Sequence, residues 1–459
     1  MPGERGAQRK ILVAALAVAV LLSLVEIWRL ATHRIVFGSP EGGWVYPYIQ
    51  GMTAGAWLAI MAALGLALAL LRFTAGLSEK HEPVSVLAWL IAGLAIQFLL
   101  HSGPPAALEA IVTSDRANGF YSPTLLHGPL EFIRNHAAIA PTLPRHARSN
   151  MPGKVIFYYV LELFAASPRA LGLLTIAFSN LGGLLLYQTV KDLFRDRRSA
   201  LFAMALYMVI PGKLVFFPVL NTVSPVFILL PLWLLTRFLR TGRIPYAVLL
   251  GLSCYVLIFF EPLPLVLGMS CAALLGGALA DRTLALRGAG KLLLAATAAF
   301  AAAHTAMLLL FRYDIIRDFL RVLDAAREFN VRAGRPYGLW VVQNLYDFSF
   351  CVGTAAALIV IAAVIDLVRG GSGPALRERL REPAALLTLS LVGALVLLDL
   401  AGINRGEVIR LWIFLACGLQ MVAAAFCARL PGLLPFGALL ACTIIQAGVA
   451  SRLVGFVLP

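Results

Sequence analysis

The chain has 459 residues, of which 60% are hydrophobic and only 13% are charged, and its formal net charge is +15. Soluble globular proteins are about 25% charged, and the apolar runs here are about 20 residues long. This composition excludes a soluble domain and predicts membrane-spanning helices rather than the shorter, alternating strands of a barrel. The positive charge indicates anionic lipid as a partner, and no nucleic-acid partner is expected.

Long apolar runs predict an all-α, polytopic helical membrane protein with about thirteen transmembrane helices. We expect a single transmembrane domain over residues 1–459 and no separate soluble domain. The first run follows a basic start without a small-residue cleavage site, so we expect it to be retained as a span. The runs lie near 11–31, 53–71, 84–101, 170–190, 200–217, 225–239, 246–260, 263–280, 292–311, 340–368, 384–402, 411–427 and 432–451.

The charges between these runs predict the orientation of the chain. If the N-terminus is cytoplasmic, every hinge on the cytoplasmic side is basic, as in "KDLFRDRRS" and "RFLRTGR". Hinges on the other side, such as "LNTVSP" and "EPLPL", contain no Lys or Arg. Residues 103–169 and 312–339 then form two extracytoplasmic loops, for which we expect interfacial helices. The sequence therefore predicts an N-terminus in the cytoplasm and a chemically rich outer face.

The short segment "INRGEVIRLW", residues 403–412, also falls on the outer face. Arg405 and Arg410 there run against the charge bias of a short outer hinge. This departure indicates a functional role for the two arginines, with anchoring of helix ends by snorkelling as the alternative interpretation.

The first outer loop divides into short pieces punctuated by Pro and Gly. "SPTLLHGPLEFIRNH" predicts one interfacial helix, and "PGKVIFYYVLELFAAS" is too short for a full span, so we expect it to be re-entrant or interfacial. In the second outer loop, "RYDIIRDFLRVLDAAREFNVRAGRP" predicts an amphipathic helix at the membrane surface. For that helix a purely structural role is favoured over a substrate contact.

The residues of the outer face favour sugar transfer from a lipid-phosphate carrier. Arginine forks match the oxygens of a phosphate, and a nearby carboxylate suits a general base that deprotonates an acceptor hydroxyl. Phosphate would be the leaving group, and cationic side chains would stabilise the charge that grows on it.

Three motifs resemble GT-C fold glycosyltransferases, which use polyprenyl-phosphate or dolichyl-phosphate sugars. Asp115 in "TSDRANGFYSP" is similar in placement to their catalytic carboxylate in an early outer loop. "RHARSNMPGKVIFYY" resembles their histidine-or-lysine plus Pro-Gly element, and "DLAGINRGEVIRLWIF" resembles a Gly-Glu-Val-x-Arg-x-Trp element. The resemblance covers residues 85–220 and, by motif, 398–415. It implies a GT-C-like fold and a hexosyl- or pentosyltransferase that uses a polyprenyl-phosphate sugar, is expected to invert the anomeric centre, and acts on a lipid or glycan acceptor.

The resemblance and the side-chain chemistry together give a set of candidate site residues. The catalytic candidates are Asp115 as the base and Glu407 as a rival base or as the residue that orients Arg410; Glu41, in the first outer loop, is a further alternative for the base. The donor-phosphate candidates are Lys154, Arg405, Arg410 and Arg148. The substrate-binding candidates are His127, His146, Asn150 and Tyr121.

Other properties of the protein are expectations from the same pattern. The chain has no Asp-x-Asp pair, so no cofactor or metal is expected, with a divalent metal as the alternative. We expect a monomer in a bacterial inner or plasma membrane, in contact with membrane lipids and with an extracytoplasmic active site. Two other functions stay open: a transporter or flippase of lipid-linked saccharides, and a ligase-type transferase with a diphosphate-linked donor.

Overall fold

Helices make up nearly all of the regular structure in the computed structural model, which describes residues 2–101, 106–369 and 374–459. Residues 103–105 of the first predicted outer loop and residues 370–373 of a predicted cytoplasmic hinge lie outside the described residues. The first half of the chain contains α1 (Pro2–Ala31), β1 (Phe37–Ser39), β2 (Trp44–Tyr46), α2 (Ala54–Gly76), α3 (Glu82–His101), α4 (Leu108–Thr113), α5 (Ser122–Leu126), α6 (Pro129–Arg134), α7 (His136–Ile139), α8 (Arg145–Arg148), α9 (Gly153–Glu162), α10 (Pro168–Phe194), α11 (Arg197–Met208) and α12 (Pro211–Val215). The second half contains α13 (Ser224–Thr241), α14 (Ile244–Phe260), α15 (Gly268–Ala280), α16 (Leu286–Phe311), α17 (Ile315–Arg332), α18 (Tyr337–Val352), α19 (Thr354–Arg369), α20 (Pro374–Arg381), α21 (Pro383–Ala401), α22 (Val408–Leu411), α23 (Ile413–Ala428) and α24 (Leu434–Leu453).

Ten helical segments in the described part of the chain are long and apolar enough to cross a membrane, or up to eleven if a bent pair counts as one span. A polytopic helical membrane protein is therefore confirmed at this level. The sequence predicted about thirteen spans, and the three segments beyond the ten are the bent pair and two shorter apolar helices. The two shorter helices, α14 and α23, have 17 and 16 residues.

The sequence predicted one span over residues 340–368, and the structure divides this segment into α18 and α19, between which the chain bends by 107°. Gly353 at the break has φ +99°, a conformation that other residues rarely adopt. Amide side chains from neighbouring helices satisfy the backbone groups that the break frees. Gln420 Nε2 donates to Val352 O at 2.6 Å, and Thr354 N donates to Gln446 Oε1 at 2.9 Å. Broken helices are tolerated at membrane depth when such partners are present.

The centre of the bundle is formed by α11, α12 and α23, in which nearly every residue is buried. The rings of Phe202 on α11 and Phe436 on α24 stack there with centroids 3.8 Å apart. Because these helices contact protein on all sides, their apolar residues do not show a single hydrophobic stripe.

The hinges that the sequence predicted to be cytoplasmic meet at one end of this bundle. Lys191 pairs with Glu82, and Arg237 Nη1 lies 3.3 Å from Asp192 Oδ1. Arg197 Nη1 donates to the carbonyl of Leu77 at 2.7 Å. The alternation of hinges between two ends therefore agrees with the charge pattern of the sequence.

The first outer loop differs in part from its prediction. The predicted single interfacial helix over "SPTLLHGPLEFIRNH" is wrong: it is divided into α5 and α6 at His127 and Gly128, because Pro129 disfavours a helical conformation at the residue before it. Leu125, Leu126 and Leu130 nevertheless remain exposed. The helix α9 has only ten residues, as expected for a segment that does not cross.

Candidate functional site

Four segments meet at the other end of the bundle, which we call the loop-bearing end: residues 32–53, 106–167, 312–336 and 402–412. The first segment forms the β1–β2 hairpin, in which Phe37 pairs with Tyr46, and the sequence pattern did not predict it. Trp340 Nε1 donates to Gly42 O at 3.2 Å and so ties this hairpin to α18. The predicted outer segments thus form one continuous surface.

The hinge at residues 402–412 has an unusual backbone. Gly402, Gly406 and Glu407 all have positive φ angles, of 59°, 83° and 62°. A Cβ atom on Gly406 would lie 2.8 Å from the ring of Trp340, so only glycine allows the hinge to pack this closely. Glu407 is not a glycine, and such strained residues concentrate at functional sites.

The hinge presents Glu407 between two arginines. Arg335 Nη2 lies 2.8 Å from Glu407 Oε1, and Arg410 Nη2 lies 2.5 Å from Oε2. All three side chains are largely buried, with exposed fractions of 5% for Arg335, 12% for Glu407 and 13% for Arg410. Two guanidinium groups share one carboxylate, so this arginine cluster carries one surplus positive charge and suits an additional anion.

The electrostatics of Glu407 favour a charged, orienting carboxylate over a base. Burial by itself would raise the pKa of Glu407, but the charges of Arg410 and Arg335 outweigh burial, and the pKa is lowered. A carboxylate held in its ionised form by two cations is a weak proton acceptor. The sequence left two roles open for Glu407, a rival base or the residue that orients Arg410. The geometry fits the second role.

His146 brings the first outer loop to the arginine cluster. Its Nε2 lies 2.9 Å from Arg116 O, and a carbonyl can only accept, so Nε2 carries the proton and Nδ1 has the lone pair when the ring is neutral. Burial lowers the pKa of His146 to about 4, and the charge of Arg410 adds to this decrease. His146 is therefore neutral at physiological pH and offers a hydrogen-bond acceptor near Arg410.

Lys154 is fully buried at the start of α9 and is paired with a carboxylate that sequence reasoning missed. Lys154 Nζ lies 3.0 Å from Glu261 Oε1 and 3.1 Å from Asn150 Oδ1. Glu261 also accepts hydrogen bonds from Asn221 and Ser224. Burial lowers the pKa of Lys154, against the opposing effect of Glu261. The charge of Lys154 is thus largely balanced within the protein, and the lysine fixes the loop to the end of α14.

Asp115 lies at the edge of this group rather than inside it. Its side chain is exposed and accepts a hydrogen bond from Ser122 Oγ. The neighbouring residue, Arg116, provides the carbonyl that contacts His146. A solvent-accessible carboxylate beside the neutral histidine is compatible with a base that receives a proton from an incoming acceptor.

The two other predicted phosphate ligands, Arg405 and Arg148, make no described side-chain contact with the arginine pair of the cluster beyond the Arg335 backbone. Arg405 donates from Nη1 to Arg335 O at 2.9 Å and from Nε to Gly402 O at 3.3 Å, so it braces the hinge. Arg148 is exposed, and its carbonyl accepts a hydrogen bond from Arg321 at 2.6 Å.

The remaining predicted substrate ligands lie farther along the first outer loop. His127 Nδ1 is 3.5 Å from Glu131 Oε1, and its carbonyl accepts from Tyr159. Tyr121 is buried with its ring centroid 5.8 Å from that of Tyr158. The charge of Arg410 acts on both His146 and Lys154, and Asn150 Oδ1 accepts a hydrogen bond from Lys154. No described contact or charge links His127 or Tyr121 to the arginine cluster, so these two lie outside the group.

Sequence reasoning also missed Arg335, Tyr46 and Trp44. Arg335 follows α17 in "AGRP", where the glycine and proline mark the end of the amphipathic helix and were the available signal. Burial raises the pKa of Tyr46, and the charge of the nearby Glu407 adds to the increase. Because Tyr46 belongs to β2, the hairpin lies beside the arginine cluster. The Trp44 ring lies 5.7 Å from the guanidinium of Arg335.

An apolar cleft of about 560 Å³ begins one helical turn below the Lys154–Glu261 pair. Leu257, which lines it, is one turn before Glu261 on α14, and Ile228 is one turn after Ser224 on α13. The rest of the lining comes from α13, α14, residues 263–267, α15, α21 and α23, and it is almost wholly apolar. An apolar cleft of this kind suits the hydrocarbon chain of a lipid.

In the described residues, no group of three or more His, Cys, Asp or Glu side chains is arranged to hold a metal ion. Neither the family models nor the curated proteins with which the sequence was compared match this chain.

Proposed function

We propose that the protein is an integral-membrane glycosyltransferase with a GT-C-like fold that transfers a sugar from a polyprenyl-phosphate donor to a lipid or glycan acceptor. The observation that carries the proposal is the Arg335–Glu407–Arg410 cluster, a buried group with one surplus positive charge. The apolar cleft supports a lipid-linked donor over a free sugar phosphate, since a soluble phosphate needs no such surface. The bacterial inner membrane and an extracytoplasmic active site are part of this proposal.

The proposed reaction is a single displacement. The acceptor hydroxyl gives its proton to the Asp115 carboxylate, and its oxygen forms a bond to the anomeric carbon. The bond from that carbon to the phosphate oxygen breaks, and its electron pair stays on the polyprenyl phosphate. A single in-line attack inverts the anomeric centre.

The leaving phosphate gains one negative charge as it departs, so a cation beside it stabilises the transition state more than the ground state. Arg410 and Arg335 provide this charge, and Glu407 fixes their orientation. His146 Nδ1 accepts a hydrogen bond from a substrate hydroxyl. The Lys154–Glu261 pair anchors the loop that carries His146.

The proposal is tested by giving purified protein membrane lipid extract and, in separate reactions, radiolabelled polyprenyl-phosphate sugars or polyprenyl-diphosphate sugars. Labelled product is expected, and movement of the lipid across the bilayer without product would instead indicate a transporter. Product formed only from a diphosphate-linked donor would indicate the ligase-type reaction.

Two substitutions test the assigned roles. Asp115→Asn should lower kcat by about 100-fold or more, as for loss of a general base, and leave donor binding nearly unchanged. Asp324→Asn, an exposed carboxylate on α17, is the matched control and should retain full activity. Arg410→Ala should raise the donor KM, and a normal KM in that variant would mean that the hinge is only an anchor.

A further inference from the structure

The helix α17 contacts both sides of the candidate site. At its first half, Arg321 donates from Nη1 to Arg148 O at 2.6 Å and from Nη2 to Asn150 O at 3.2 Å. These carbonyls belong to the turn between α8 and α9, and the Asn150 side chain in turn contacts Lys154. Asp115, the proposed base for the acceptor, is next to Arg116, whose carbonyl contacts His146. We therefore call residues 145–154, which carry His146 and Lys154, the acceptor wall, although the sequence had placed Lys154 and Arg148 among the candidates for the donor phosphate.

Arg321 is itself held by a buried polar group. Its Nε lies 2.7 Å from Asp318 Oδ1, and the other carboxylate oxygen of Asp318 accepts from Tyr313 at 3.0 Å. His136 Nδ1 lies 3.2 Å from the same oxygen. Asp318, Tyr313 and His136 are all at most 6% exposed, and His136 on α7 joins this end of α17 to the first outer loop.

The other end of α17 contacts the hinge, which we call the donor wall (residues 402–411). Asn330 Nδ2 donates to Ile403 O at 2.7 Å. Just beyond the helix, Arg335 donates to Arg405 O at 2.5 Å and to Glu407 at 2.8 Å. One element therefore makes direct hydrogen bonds to two walls that are more than 200 positions apart in the chain.

The distance between these contacts is set by the helix. Arg321 and Asn330 are nine positions apart on a continuous α-helix, so the two anchor points are separated by about 14 Å along its axis. Its exposed side chains include the apolar Ile316 and Leu320 as well as charged residues, a mixture that suits the membrane surface. A continuous helix that is hydrogen-bonded near both ends is stiff, so it holds the two walls at a constant distance from each other.

The geometry points to α17 as a positioning element that holds the acceptor wall at a fixed distance from the donor wall, with Arg321 as the residue that fastens the acceptor wall. This inference rests on the proposed function. It differs from the purely structural role that the sequence favoured for the helix. Small errors in the placement of reacting groups are costly in rate, so a rod of this kind has a direct effect on transfer.

The test compares Arg321→Ala with Arg198→Ala. Arg198 is the matched control because it also donates to two backbone carbonyls, those of Leu430 and Gly432, but at the opposite end of the bundle. Arg321→Ala should lose more thermal stability than Arg198→Ala, because it also removes a cation from the buried Asp318 carboxylate, so the KM values and not the stability distinguish the two variants. Arg321→Ala should raise the acceptor KM about tenfold, as for loss of charged hydrogen bonds that hold a binding surface, and leave the donor KM unchanged. Arg198→Ala should change neither KM.

Hydrogen–deuterium exchange gives a second readout. Arg321→Ala should increase amide exchange in residues 146–154 and leave residues 403–411 unchanged, while Arg321→Lys, which keeps the charge, should have an intermediate effect. Two results would overturn the role of α17 but not the proposed function. One is an acceptor KM in Arg321→Ala equal to that of Arg198→Ala, and the other is unchanged amide exchange in residues 146–154. Absence of transfer by the wild-type protein would overturn the proposed function and this role with it.

Discussion

Replacing Glu407 with glutamine should destabilise the protein strongly, because the carboxylate is shared by two buried arginines. The glutamine has the same shape and keeps one oxygen acceptor, but the charge is lost. Arg335, only 5% exposed, and Arg410, 13% exposed, would then repel each other without a counter-ion.

The magnitude follows from the burial of the group. Removing one partner of a buried ion pair costs about 3 to 5 kcal/mol. The retained oxygen acceptor and the partial exposure of Glu407 reduce this cost, so we expect a loss of about 2 to 3 kcal/mol for Glu407→Gln. The surplus charge rises from one to two, so inorganic phosphate should bind the variant better and restore about 1.4 kcal/mol at ten times its Kd.

The assay is unfolding of the purified protein in detergent, with and without phosphate. The control is Glu328→Gln, which removes an exposed carboxylate paired with Arg332 on α17. Such surface pairs contribute about 0 to 1 kcal/mol, so the control should unfold like the wild-type protein. A Glu407→Gln variant as stable as this control, with no added stabilisation by phosphate, would refute the shared-carboxylate arrangement.

Two other predictions concern the same end of the bundle. Gly406→Ala should destabilise the protein by about 2 kcal/mol or more, since it adds backbone strain at positive φ and a clash with Trp340. Gly432 also has a positive φ but has open space around it, so Gly432→Ala should lose only the stability that backbone strain costs, measured in the same unfolding assay. The pKa of His146 is lowered from 6.5 to about 4 by burial and by Arg410, so its neutral form stabilises the fold above pH 6.5, and this stability is lost as the pH falls toward 4. As the pH is lowered from 6.5 to 4, the free energy of unfolding should therefore decrease less steeply in His146→Gln than in the wild-type protein. An equal slope in both proteins would contradict the burial of the ring.

The sequence predicted the helical membrane architecture and the grouping of the segments well, because both depend on local information. Apolar runs of about 20 residues identify spans without knowledge of their neighbours, and the charges of the hinges predicted which loops meet at which end. The broken pair at Gly353 was missed since Gln420 and Gln446, which satisfy its backbone, lie on other helices.

The candidate site was predicted in part. His146, Asn150, Lys154, Glu407 and Arg410 lie at one end of the bundle, as the predicted topology expects, and the pairing of Glu407 with Arg410 was one of the roles that the sequence left open. The partners Arg335 and Glu261 were not predictable, because they are distant in the chain.

Composition, hydropathy and hinge charge by themselves determined that this chain is a polytopic helical membrane protein, and they predicted that its outer segments share one end. Only the tertiary structure decided that Glu407 lies between Arg335 and Arg410, and that Lys154 is balanced by Glu261. The physical reason is that burial and ion pairing determine how much charge is available to a ligand. Arg335 and Glu407 are 72 positions apart in the chain, and Lys154 and Glu261 are 107 apart. Packing of the helices, and not a local sequence pattern, brings each pair together.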